Sequence, residues 1–483
     1  MRRPAGLVSY RNLSARGKFA EVKLYERRDD IGGVWYLDNN EIVNSSCTSA
    51  PPRWPSPAYP GLIGNVLPEF LSFSQFPFPN PTNPNQPFPT LFETHDYLRN
   101  FAEPFLKNGK IKLNIEVMRV EEQENGGWKV EIRDWNDGVG ESRVEDWDAV
   151  VLAVGWYDHP VWPSTPGLDV LREKCLAQHA KWYRGPQGYE DKRVLVVGNA
   201  NSGNEICAHL APLARTPVYQ SIRRPAFPGF PSLPDDRIHM VAPVARFGLS
   251  PSPYIPHSST ATDSSSSERG GTDKIIAHLQ DGTILTDIDF VFIATGYEPN
   301  PDFVHVFDPN TTSHSPSTEA SKGRDLMRLM DQNPDLETGT RVPSLHQHIL
   351  YAHNPTLAFI GSPMSFTPFP INDISSLWLS LIWSLTIPLP EDLLHYETTR
   401  LEKIKKWRES VDNPSALYAY RVLGIEEEEY AESLRREVIS VRPEMEEWFE
   451  MRWAPRELRR TWRERMYPMK LEALRYARDH GRN

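Results

Sequence analysis

Cysteine is scarce in this chain. Only Cys47, Cys175 and Cys207 occur in 483 residues, far apart and with no CxxC. That pattern excludes a redox dithiol or a thiolate zinc site and gives no reason to expect a disulfide framework. No metal site is expected. Long apolar runs are lacking too: the most apolar late stretch, residues 374–390, ends in two prolines and falls short of the roughly 20 residues a spanning helix needs. It reads as core, and no membrane anchor is expected. Basic charge is in short supply, with 53 Lys and Arg against 64 Asp and Glu and a net charge of −11, which argues against a nucleic-acid surface. No secretory signal opens the chain, so a cytoplasmic protein is expected.

What is present is one spacing used twice, with opposite charge at its end. The apolar strand Val194–Val197 runs into Gly198-Asn199-Ala200-Asn201-Ser202-Gly203 and a helical stretch. Arg223, beside Ser221 and Arg224, follows Gly203 by 223 − 203 = 20 positions. Near the start, Pro4-Ala5-Gly6-Leu7 opens another helical stretch, and Glu26 follows Gly6 by 26 − 6 = 20 positions at the end of the strand-like Val22–Tyr25. A residue about 20 positions past the last glycine of a dinucleotide fingerprint reads the ribose. An acid accepts bonds from ribose hydroxyls, whereas arginine suits a 2′-phosphate. Two dinucleotides are therefore expected: one without a 2′-phosphate, and NADPH.

The second motif is nearly complete, since Ala200 replaces only the middle glycine. The first is damaged. If Gly6 is the third glycine of GxGxxG, the other two places hold Met1 and Arg3, and no strand precedes them. The expectation is a shortened version of a functional chain, with roughly ten residues of the form strand–Gly-x-Gly missing upstream.

Recurrent β-rich runs ending in glycine, at residues 150–155, 194–198, 290–296 and 356–361, indicate buried parallel sheet. Residues 49–89 are dense in proline, but Trp54, Tyr59, Phe70, Phe73, Phe76 and Phe78 favour an ordered loop packed on a core. Residues 251–271 are serine-rich and read as a mobile surface insertion. Glu426 to Glu429 read as a solvated helix face.

The run Tyr25-Glu26-Arg27-Arg28-Asp29-Asp30-Ile31-Gly32-Gly33-Val34-Trp35-Tyr36 resembles the segment after the second strand of the flavin-containing monooxygenases. The likeness continues in order. Leu62-Ile63-Gly64-Asn65 is similar to the family's substrate-side segment with its active-site asparagine. Val194–Gly203 resembles its NADPH fingerprint, Ala294-Thr295-Gly296-Tyr297 its second-domain exit strand, and residues 355–361 its late FAD-contacting strand. Of the family's FxGxxxHxxx(W/F) fingerprint, His179 and Tyr183 keep their places, while Glu173 and Cys175 stand where phenylalanine and glycine are expected.

The resemblance implies an α/β fold of two Rossmann-like domains, the NADPH domain inserted into a discontinuous FAD domain. The boundaries expected are 1–187 for the first FAD part, 188–296 for the NADPH domain and 297–483 for the second FAD part with charged C-terminal helices. It also implies the chemistry: NADPH reduces FAD, which with O2 oxygenates a soft nitrogen or sulfur nucleophile, in a tailoring step of specialised metabolism. Asn65 and His179 would be catalytic. Gly6, Glu26, Gly32, Gly33, Trp35, Gly198, Asn199, Ala200, Ser202, Gly203, Ser221, Arg223, Arg224, Thr295 and Gly296 would hold the cofactors. The partners are a small molecule and O2, with room for a homodimer. Two alternatives stay open, a Baeyer–Villiger oxygenation of a ketone and a non-catalytic NADPH-binding relative.

Overall fold

The computed structural model describes residues 4–38, 53–224, 235–250, 273–310, 324–332, 340–411, 419–449 and 467–480. In chain order the elements that position the sites are α1 (Pro4–Arg16), β1 (Leu24–Tyr25), α2 (Leu91–Lys107), β2 (Ile111–Lys112), β3 (Val150–Leu152), β4 (Ala177–His179), β5 (Val194–Val197), α3 (Asn201–Leu210), β6 (Val218–Ser221), β7 (Ile238–Val241), β8 (Phe290–Ile293), β9 (Leu345–His346), β10 (Leu350–Tyr351), β11 (Leu357–Phe359), α4 (Pro368–Trp383), α5 (Glu427–Val441) and α6 (Tyr467–His480). The fold is α/β, and the chain divides into a discontinuous first unit (1–38, 60–159 and 297–477) and a second unit (39–59, 160–296 and 478–483).

The second unit is built on a five-stranded sheet in the order β7-β6-β5-β8-β4, parallel throughout. Val194, Leu195, Val196, Val291, Phe292 and Ile293 are fully buried, because a parallel sheet covered on both faces reads as a continuous apolar run. Residues 160–187 fall in this unit because β4 is an edge strand of its sheet. An antiparallel three-stranded sheet of residues 244–250, 274–279 and 284–288 is appended. The serine-rich tract joins two of those strands and lies outside the described residues.

In the first unit β1 pairs in parallel with β2 among the described residues, and β3 is the edge of a four-stranded sheet β9-β10-β11-β3. A separate five-stranded sheet of residues 326–328, 304–307, 115–122, 128–134 and 141–147 completes the unit. Helix α4, which supplies most of residues 374–390, is buried along most of its length, in keeping with the core expected there. Among the described residues no helix is long and apolar enough to cross a membrane. The aromatic loop before α2 is ordered as expected, with Phe73 and Phe88 fully buried and Phe73 stacked 5.2 Å from Phe369.

Two expectations are corrected. Glu427 is not on a solvated face but wholly buried. Its carboxylate accepts the Phe366 and Thr367 N–H groups at 2.6 and 3.0 Å and the Thr367 hydroxyl at 2.6 Å. Burial raises its pKa despite those bonds. The four glutamates face different environments because consecutive helical residues turn through about 100° each. Cys175 is disulfide-bonded, since distance along the chain does not fix distance in the fold; Cys207 is free and buried.

Candidate functional site

The second-unit cradle follows from strand–turn–helix geometry. β5 ends at Gly198, whose φ of 122° suits glycine; a Cβ there would lie 2.4 Å from the Ala294 carbonyl oxygen. A Cβ on Gly203 would lie 2.4 Å from the Gly198 carbonyl oxygen, so helix and turn can close only with hydrogen at both positions. Ala200 caps α3 in an extended conformation with no side-chain cap, and the first turn carries no acid. The N–H groups of that first turn have no intrahelical partner, which is what an anion needs. Asn199 donates from Nδ2 to the Arg224 carbonyl at 2.6 Å, tying the loop after β6 to the glycine turn. Arg223 is exposed, as is Ser202. Ser221 is buried and donates its hydroxyl to the Ala242 carbonyl at 3.1 Å. Thr295 donates to the Val161 carbonyl at 2.5 Å, and Gly296 has φ 87°.

In the first unit Glu26 sits at the end of β1, 1% exposed, and accepts the Arg28 N–H at 3.1 Å. Arg28 is buried and donates to the Gly33 carbonyl at 2.9 Å. Burial lowers its pKa, with Glu26 acting in the opposite sense. Gly32 and Gly33 have φ of 113° and 61°, and a Cβ on Gly32 would meet the His95 ring at 2.9 Å. Trp35 is half-buried in the 3-10 turn that follows. The turn is fixed to α2, where His95 lies 3.2 Å from the Ile31 carbonyl and Arg99 lies 2.5 Å from Asp30. Glu26, Gly32, Gly33 and Trp35 thus share one loop, with Gly6 of α1 near Leu24 of β1.

Asn65 is half-buried on a loop held from two sides. Gly64 donates its N–H to the Pro89 carbonyl at 2.8 Å, and Lys470 of α6, 5% exposed, donates to the Gly64 carbonyl at 2.6 Å. The loop Asn65 occupies was legible in the sequence, but Lys470 was not, because 406 residues separate the partners. His179 lies in the core at the end of β4, paired in register with Ile293 and 5.6 Å from the Trp162 ring. It is 0% exposed, and burial lowers its pKa to about 4, so the ring is neutral at ordinary pH. Tyr183, the terminal aromatic of the same fingerprint, is buried and stacks on His209. Cys175 takes φ 58°, which is why a glycine suits that place.

The profile described as flavin-binding monooxygenase-like matches residues 5–227. The flavin-containing monooxygenase FMO GS-OX-like 2 of Arabidopsis thaliana is 28% identical over 410 residues, covering 82% of this chain and 75% of that protein. The thiol-specific monooxygenase of Saccharomyces cerevisiae is 25% identical over 395 residues, covering 80% and 76%. Among solved structures, S-allyl-L-cysteine S-oxygenase from Allium sativum superposes with TM-score 0.64 at 24% identity, over 96% of this chain and 97% of that one. Over most of its length the chain is similar to the flavin-containing monooxygenases. FAD and NADPH are the cofactors of this flavin monooxygenase.

The second cradle fits NADPH: a glycine turn that a Cβ would fill, an uncapped helix N-terminus and an exposed arginine at the ribose-reading place. In the first unit the ribose side fits FAD, through Glu26 and the Gly32–Gly33 turn.

Proposed function

We propose that this monooxygenase moves one oxygen atom from O2 to a soft sulfur or nitrogen of a small molecule at the expense of NADPH, in a tailoring step. The observation that carries the reading is the pair of opposite readers, Glu26 after β1 and Arg223 with Arg224 after β6, each 20 residues past a helix-opening glycine. Bound FAD supplies the redox chemistry and the activation of O2. The chain's own groups bind, orient and exclude water. The α3 N-terminus and Gly198 hold the NADPH pyrophosphate, Arg223 its 2′-phosphate, and Glu26 the FAD ribose. Asn65 offers an amide to the substrate side. His179 serves as a core residue that sets the end of β4. Sulfur is favoured over a ketone because the yeast relative is named thiol-specific and the Allium protein an S-oxygenase.

The test is product analysis with the FAD-loaded protein, NADPH and, in parallel, a thioether, a tertiary amine and a cyclic ketone. Sulfoxide or N-oxide without lactone supports the reading; lactone alone overturns it. For Asn65, the Asn65→Ala variant should still let NADPH be oxidised while product falls and hydrogen peroxide rises. Unchanged coupling removes Asn65 from the site.

A further inference from the structure

Helix α6 brings a charged side chain into the core of the first unit. Met469, Ala473 and Tyr476 stand at i, i+4 and i+7 on one face, with Lys470 beside Met469. Ala473 is 1% exposed, and Met469 packs against the cluster that holds Phe73, Phe88 and Tyr97. The Tyr476 hydroxyl accepts a bond from Asn83 Nδ2 at 3.1 Å. Lys470 is buried with them. Burying an ammonium is costly unless acceptors take up its donors. Its Nζ donates to the Gly64 carbonyl at 2.6 Å, lies 3.5 Å from the Ile63 carbonyl and stands 5.2 Å over the Phe88 ring.

The Gly64 carbonyl belongs to the peptide that enters Asn65. That unit is planar and trans, so its C=O and the Asn65 N–H point in opposite directions and turn together. Two further bonds hold the same loop from another side. Gly64 donates its N–H to the Pro89 carbonyl at 2.8 Å, and Leu91 donates to the Leu62 carbonyl at 2.9 Å. Ile63 pairs antiparallel with Thr90 between them. These bonds fix where the loop lies. The rotation of the peptide between Gly64 and Asn65 is a separate matter, and its carbonyl is the one that Lys470 takes. Gly64 has no side chain with which to restrict that rotation, and a Cβ there would meet the Pro89 carbonyl oxygen at 3.0 Å. An ammonium also polarises the carbonyl it bonds, which makes the N–H of the same peptide a stronger donor.

We propose that Lys470 is a positioning residue for the oxygenation: it sets the orientation of the peptide between Gly64 and Asn65, and through it the direction of the Asn65 amide. The inference rests on the reading of Asn65 as a substrate-side group. A lysine that only satisfied a buried carbonyl would matter to stability alone. A lysine that aims Asn65 must also show in what the folded enzyme achieves, as the share of NADPH that ends in product. The two roles are therefore separable by measurement.

The experiment uses the FAD-loaded full chain with NADPH and whichever of the thioether and the amine gives product. Lys470→Met keeps an unbranched apolar stem and removes the donor, whereas Lys470→Arg keeps a charged donor. In Lys470→Met, amide exchange at residues 62–66 should quicken by roughly tenfold, the size of a hydrogen bond to a charged group. Product per NADPH should fall, with hydrogen peroxide taking its place. Lys470→Arg should recover most of both. The double variant Lys470→Met with Asn65→Ala should couple no worse than Asn65→Ala alone, because the lysine acts through Asn65. Lower stability with unchanged coupling overturns the proposal, and so does unchanged exchange or a double variant that loses further. If Asn65→Ala alone leaves coupling unchanged, the reading of Asn65 falls. Quickened exchange in Lys470→Met would still show the hold on the loop, so the two failures are told apart.

Discussion

The two nucleotide cradles differ in what lies under the helix. α3 rests on β5, and hydrogen is the only substituent that fits at Gly203. α1 meets only side chains at Gly6, at ordinary contact distance among the described residues. Besides its apolar packing, α1 is held by a polar network. Asp373 of α4 is 0% exposed and takes a 2.6 Å ion pair from Arg11, a 3.0 Å bond from Asn12 and a 2.7 Å bond from the Ser74 N–H. α1 is therefore positioned both by its apolar face, where Leu7 and Val8 are fully buried, and by a buried charge behind it.

The largest effect should come from breaking that network. Asp373→Ala leaves the Arg11 guanidinium bonded to the Ser74 carbonyl and hydroxyl but without its counter-charge, and should cost about 3–5 kcal/mol of stability, read by denaturant unfolding. Burial would raise the Asp373 pKa, but Arg11 and Asn12 outweigh it and hold the carboxyl below its ordinary value. A depressed carboxyl contributes stability that is complete above about pH 4, the unfolded value, and lost as pH falls through the folded one. Asp373→Asn should flatten that acid limb. An unchanged limb would mean α1 is held by something other than this pair.

His179 tests the second unit in a neighbouring pH window. Its folded pKa is about 4 because burial disfavours the imidazolium, against an unfolded value of about 6.5. Between those values the unfolded chain binds a proton that the folded one refuses, so stability is complete above pH 6.5 and falls toward pH 4, by about 3 kcal/mol in total. His179→Gln should flatten the unfolding midpoint between pH 4 and 6.5 while leaving NADPH oxidation in place. A variant that folds normally but no longer oxidises NADPH would restore the catalytic reading.

Arg223→Ala should raise KM for NADPH about ten- to a hundredfold, the worth of a charge-assisted bond of roughly 1.5–3 kcal/mol, and leave NADH nearly unchanged. Steady-state kinetics with both nucleotides decide it, and equal loss with both would move the 2′-phosphate elsewhere.

The glycine turns and the parallel strands were legible because each is local: apolar runs and a turn glycine along the chain. What was not legible joins distant residues. Asp373 meets Arg11 across 362 positions, and Glu427 caps the start of α4 across 60. Nor was the bond legible that the Ser221 hydroxyl donates to the Ala242 carbonyl, across 21 positions.

The smallest effects give the sharpest comparison, because they place one methyl group in each cradle. Gly203→Ala puts a Cβ 2.4 Å from the Gly198 carbonyl oxygen, which is backbone and cannot swing away. Helix and turn must part, at a cost of about 1–3 kcal/mol, and the NADPH pyrophosphate loses its seat with them. Gly6→Ala puts a Cβ 3.4 Å from Ala153 and 3.6 Å from Leu24, both side chains at ordinary separation. In a helix that change lowers the entropy of the unfolded chain and should stabilise by about 0.4–1 kcal/mol. The two variants should therefore move the unfolding midpoint in opposite directions. If Gly6→Ala is as damaging as Gly203→Ala, the first cradle is closed against α1 and the contrast between the two units fails.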